Sequence, residues 1–169
     1  NRQAVACYEK SALRGGGTAF VKNTILSASS EASIFFDTKS QIQVLYSLSD
    51  REPLPGTGNL HTDPALVHPS TGNFELSPGS PCIDSGWAAL LPSDFLDVDE
   101  DGNTAEQIPE DLDFKARRSD VLGVTDGPSA GVPALDRGCY ELQMPVCPAD
   151  MNKDSNVDLV DFFEFFNAW

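Results

Sequence analysis

Residues 50–86 read DREPLPGTGNLHTDPALVHPSTGNFELSPGSPCIDSG, a run thick with proline and glycine. Proline fixes one backbone dihedral and removes an amide donor, and glycine opens the left-handed region. No helix and no strand of ordinary length survives such a run, so it must consist of turns joining very short strands. A sandwich built of normal strands fits it poorly. A solenoid fits better, because each rung gives only a few strand residues before turning sharply.

Residues 12–49 extend the pattern. LRGGGTAFVKNTIL, ASIFFDT and QIQVLYSLS are short apolar or alternating segments rich in β-formers, punctuated by Gly, Asn and Ser. No 3.6-residue period is sustained, which points to an all-β chain. Residues 87–142 are less regular. They hold SDFLDVDEDGN and PEDLDFKARRS, a Gly-rich connection, and a closing strand in ALDRGCYEL. A cap of this kind would cover the open edges and apolar core that a solenoid end exposes. Residues 143–149 read as a linker, leaving 150–169 as an appendage.

Twenty-six acidic residues against eleven basic ones give a formal net charge of -15. That surface repels nucleic acid and anionic membranes and attracts cations. No apolar run is long enough to span a membrane. The chain opens mid-pattern at Asn1, which reads as a piece of a longer protein. The four cysteines, Cys7, Cys82, Cys139 and Cys147, form no CxxC pair, so a zinc site is not expected. Their even number fits an oxidising compartment; three pairings are open, as are free thiols.

The strongest chemical motif is terminal. From Asp150, the EF-hand ligand positions fall on Asp150, Asn152, Asp154, Asn156, Asp158 and Asp161, all suited to Ca²⁺. Ser155 stands where the loop wants glycine, at a cost on the order of 1 kcal/mol, so affinity in the range of about 10⁻⁴ to 10⁻³ M is expected. Leu159, Phe162, Phe163, Phe166 and Trp169 then share one helical stripe. A helix this short cannot bury that stripe on itself, so it requires a second repeat, the body of the chain or a partner.

DVDEDGN offers a second loop through Asp97, Asp99, Asp101 and Asn103, with Gly102 in the turn position. Position 12 would be Ile108, which cannot ligate. Two readings stay open: a second Ca²⁺ completed by Glu106 or Asp111, and an acidic turn without metal. His61 and His68 lie in Pro-rich turns without a nucleophile, and no catalytic set stands out.

Two resemblances follow from these motifs. GTGNLHTDPALVHPSTGNFELSPGSPCIDSG followed by DVDEDGN and LDRGCYEL is similar to the last coils of secreted bacterial right-handed parallel β-helix proteins, the pectate-lyase-like group with C-terminal anchors. It implies coils over 1–86 and a cap over 87–142. That family usually has a small residue where Cys139 sits, and a cysteine there suggests a staple to Cys82. The tail, opening Cys-Pro-Ala-Asp, resembles a single dockerin repeat, a calcium loop followed by one helix. Together they imply a right-handed parallel β-helix with a small C-terminal calcium-loop–helix appendage, secreted or at the cell surface. The implied role is anchoring, through a cohesin-like or cell-surface partner on the Leu159–Trp169 stripe. The alternative is the end of a polysaccharide-degrading enzyme whose active site lies upstream.

Overall fold

The computed structural model describes residues 4–7, 16–27, 31–121, 123–128, 134–143, 159–160 and 162–163. Nine short strands occur among them: β1 Val5–Cys7, β2 Thr18–Lys22, β3 Ile25–Leu26, β4 Ile34–Phe36, β5 Gln41–Leu45, β6 Leu48–Ser49, β7 Leu60–His61, β8 Leu66–His68 and β9 Asn73–Leu76.

The first seven strands pair in parallel. β1 lies on β4, β2 on β5, and β3, β6 and β7 form a three-stranded sheet. Between β2 and β5 the register sets Val21 against Val44, both buried, and Phe20 against Gln43 on the outer face. This is the period-two alternation of a half-buried strand. Asn23 and Tyr46 have positive φ, 47° and 48°, and bend the chain between β2 and β3 and between β5 and β6. Just after each bend the backbone is completed by side chains: the Thr24 amide donates to Ser47 Oγ at 3.2 Å, and the Ser47 amide to Asn59 Oδ1 at 2.9 Å.

The expected parallel β-helix with its helical appendage is not what the described residues form. The strands are two to five residues long and lie in separate sheets of two or three, none of them closed or stacked into a solenoid. β8 and β9 pair antiparallel, turning through Pro69–Thr71 with Gly72 left-handed at φ 89°. From residue 77 to residue 143 the described residues form only isolated bridges and a three-residue 3₁₀ turn at Ala88–Leu90. The reason is physical. The prolines after β7, from Pro64 onward, break the ladder, and side chains take over the backbone groups a ladder would have used. In the tail, Leu159, Val160, Phe162 and Phe163 are exposed helical residues, and no helix of seven residues or more occurs among the described residues.

Two apolar clusters hold the strands. Val21, Leu26, Val44 and Leu54 form one. Leu48, Leu76, Cys82, Ile83 and Val121 form the other, joining the strands to the second half of the chain. A fully buried leucine such as Leu48 contributes about 1.5–3 kcal/mol.

The second half is held by buried polar groups. Asp136 Oδ1 accepts the Asp84 amide and Oδ2 the Leu142 amide, both at 2.7 Å. Arg117 pairs with Glu141 out of solvent, and its Nη2 donates to Gly138 O at 2.6 Å. Trp87 is fixed to the strands by Asn23, which accepts its amide at 2.9 Å and donates to its carbonyl at 3.0 Å. Tyr46 packs on Trp87 with centroids 5.2 Å apart. Gly58 lies beneath the Tyr46 ring, where a Cβ would come within 2.6 Å of a ring carbon.

Candidate metal centre

Residues 92–108 form an acidic loop with a clamped base. The Asp94 amide donates to Glu106 O at 2.8 Å, the Ile108 amide to Pro92 O at 3.1 Å, and Ser93 bridges Gln107 antiparallel. Gln107 anchors the base to the body, donating from Nε2 to Ala88 O at 2.8 Å. Within the loop, Asp97 and Glu100 have φ of 54° and 58° and Gly102 of 85°. The chain is thereby coiled tightly enough to turn alternate side chains inward. The Gly102 amide donates to Asp97 Oδ1 at 3.0 Å and the Asn103 amide to Asp101 Oδ1 at 2.7 Å.

The coil brings the expected Asp97, Asp99 and Asp101 together, one carboxylate oxygen of each within 4.8 Å of the others. Asp99 also belongs to a second trio with Asp94 and Glu106, on the same criterion. Asp94 is only 1% exposed. Its Oδ2 accepts the Val98 amide at 2.9 Å, while its Oδ1 is buried without a partner. Glu106 Oε1 is likewise buried and unpartnered, its other oxygen accepting from Asn103 Nδ2 at 3.0 Å. Burial, then the charges of Asp101, Asp99 and Asp94, push the Glu106 carboxyl upward. An orphaned buried acceptor costs on the order of 1–3 kcal/mol. A cation between Asp94, Asp99 and Glu106 would satisfy both orphans together.

The donors are all oxygen, which suits Ca²⁺, Mg²⁺ or Mn²⁺ and not a soft metal. Of the two residues weighed to complete the loop, Glu106 stands beside it. Asp111 does not: its Oδ1 accepts the amides of Asp113 and Lys115, at 2.8 and 3.0 Å, and its Oδ2 that of Glu141, at 3.0 Å. Asn103 commits its amide to the turn, accepting from Ala105 N and donating to Glu106.

The terminal ligand set, Asp150, Asn152, Asp154, Asn156, Asp158 and Asp161, lies outside the described residues, as do Phe166 and Trp169. Cys82 and Cys139 are both free thiols, so the staple suggested by the resemblance is absent from this structure. The Arg137 amide, two residues before Cys139, donates to Cys82 O at 3.0 Å. Cys82 faces the core, whereas Cys139 is exposed.

Asp94 was not legible as a ligand, since it lies outside the DxDxDG spacing. Its signal is the fixed approach to Glu106, which only the folded loop base provides. Compared with known protein families, with curated proteins and with solved structures, the chain has no match.

Proposed function

We propose that this chain is a calcium-dependent structural and anchoring module rather than a catalyst. The observation that carries the reading is Asp94, fully buried with an unpartnered carboxylate oxygen beside Asp99 and Glu106. Converging carboxylates repel one another without a cation, so binding energy at this loop becomes folding energy. The ion would hold the acidic loop against the body through the clamped base. The terminal loop from Asp150 would bind a further Ca²⁺ and order the tail, whose Leu159, Phe162 and Phe163 would contact a cell-surface or cohesin-like partner. An exposed, acidic module of this kind suits an extracellular setting, where weak calcium sites are filled.

The deciding experiment is a calcium titration of the whole chain by calorimetry, beside Asp94→Asn and Asp99→Asn. The wild type should take up an ion that Asp99→Asn does not, and Ca²⁺ should raise its melting temperature more. Identical binding isotherms for wild type and Asp99→Asn would remove the loop as a metal centre.

A further inference from the structure

A second set of carboxylates converges far from that loop. Asp84, Asp120 and Asp126 each bring one oxygen within 4.8 Å of the other two. Asp120 and Asp126 are exposed, but Asp84 is completely buried. Its Oδ2 accepts the Val121 amide at 3.1 Å, and its Oδ1 has no partner. A fully buried carboxylate oxygen is therefore left unpartnered where two further carboxylates converge. No ion pair reaches any of the three among the described residues. Another acid, Asp136, accepts the Asp84 amide at 2.7 Å.

Each carboxylate is positioned by its chain neighbour. Asp120 precedes Val121, whose amide bonds to Asp84 and whose side chain sits in the core. Asp126 precedes Gly127, whose amide donates to Asp84 O at 2.5 Å. The approach there needs glycine, because a Cβ on Gly127 would lie 2.4 Å from Gly86 O. Asp84 is itself left-handed, at φ 52°. A strained backbone, an obligatory close approach and an orphaned buried oxygen thus meet at one point, which a solvated acidic patch does not require.

We propose that Asp84, Asp120 and Asp126 form a further cation site that takes a hard divalent ion of the calcium class. Each carboxylate supplies an oxygen, and water completes the open side left by the two exposed residues. Calcium fits better than magnesium, because it tolerates irregular oxygen coordination where magnesium demands a near-ideal octahedron. The ion would tie the segment around Val121 and Gly127 to the turn that ends in Gly86, two parts of the chain joined by no strand pairing. This site is independent of the Asp94 loop.

The test is equilibrium dialysis of the whole chain against Ca²⁺, comparing wild type with the double variant Asp120→Asn and Asp126→Asn. Both changes are at exposed positions, so the fold is retained, which circular dichroism checks. The double variant should bind one fewer Ca²⁺ per chain and lose part of the calcium-induced rise in melting temperature. Asp99→Asn should lose a different ion, and the two losses should add. Equal Ca²⁺ stoichiometry and equal thermal shifts in wild type and double variant would overturn the proposal, whatever happens at Asp99. Failure at Asp99 alone would leave it standing.

Discussion

Arg137 reaches back across ninety residues to donate from Nη1 to the carbonyl of Ser47 at 2.9 Å. The same guanidinium donates from Nη2 to Ser85 O at 2.8 Å and from Nε to Ser85 Oγ at 2.9 Å, and its Cζ lies 5.9 Å from the Tyr46 ring centroid. At 4% exposure it is a buried cation solvated by carbonyls and an aromatic face. It links Ser47, which immediately precedes β6, and Ser85, in the turn after Cys82, to the segment around residue 137 in one contact set.

The first prediction concerns that link. Arg137→Ala strips the half-buried Ser85 carbonyl of both guanidinium donors and leaves the Ser47 carbonyl with the Leu60 amide alone, at a cost of roughly 1–3 kcal/mol in all. Urea unfolding should show a loss of about 2 kcal/mol with an unchanged m-value. Arg137→Lys should recover only part, since an ammonium cannot span the two carbonyls as a planar fork does. Wild-type stability in Arg137→Ala would mean that the late segment is held by other contacts.

A second prediction follows from Arg117 and Glu141. Burial, then Asp136, pushes the Glu141 carboxyl upward, while Arg117 and the amides of Ser119 and Asp136 hold against that. Removing either partner strands a buried charge, so Arg117→Met or Glu141→Gln should each cost about 3–5 kcal/mol. The double variant should cost less than the two losses summed, measured as a double-mutant cycle. Simple additivity would show that the two do not act as a pair.

Thiol chemistry gives a third. Burial raises the Cys82 thiol to about 11, and Cys139 is exposed at the edge of an apolar cavity that also contains Leu66, Phe74 and Tyr140. In the native chain, alkylation at mildly alkaline pH should mark Cys139 and leave Cys82 unmodified until denaturant is added. Peptide mapping reads this directly. Protection of both residues, reversed by reductant, would instead show the disulfide that the resemblance implies.

These residues also show what the amino-acid order discloses. β2 and β5 fall where GTAFVK and QIQVLY alternate, and the turns between 50 and 86 follow from their prolines and glycines. The reading as a solenoid failed because local periodicity does not say how far a ladder continues. Here the parallel pairing ends at Leu60–His61, and HPSTGN turns the next two strands antiparallel. DVDEDGN disclosed Asp97, Asp99 and Asp101 because their spacing is local. Asp84, Asp120 and Asp126 meet only through Val121 and Gly127 docking on a distant turn, and no spacing rule encodes that. Likewise Arg137 and Cys139 look equivalent in LDRGCYE, yet one is buried and the other exposed.

The last prediction uses the pH dependence of Asp84. Burial raises its carboxyl to about 6, with Asp136, Asp120 and Asp126 adding repulsion and the Val121 amide opposing them. The folded chain then binds this proton more tightly than the unfolded chain does. The stabilisation from Asp84 is therefore full below the ordinary carboxyl range and is lost as pH rises through about 6. Asp84→Asn stays neutral throughout, so in chelator its stability relative to wild type should improve between about pH 4 and about pH 7. The full shift corresponds to about 3 kcal/mol, and screening from the open side of the cluster reduces the expected gain to on the order of 1–2 kcal/mol. Parallel urea titrations of the two proteins give the difference at each pH, which cancels the contribution of the other carboxylates. Millimolar Ca²⁺ should remove the wild-type penalty near neutral pH and leave Asp84→Asn unchanged at this site. A stability difference that stays flat with pH would mean that Asp84 is ionised in the fold as readily as in the open chain.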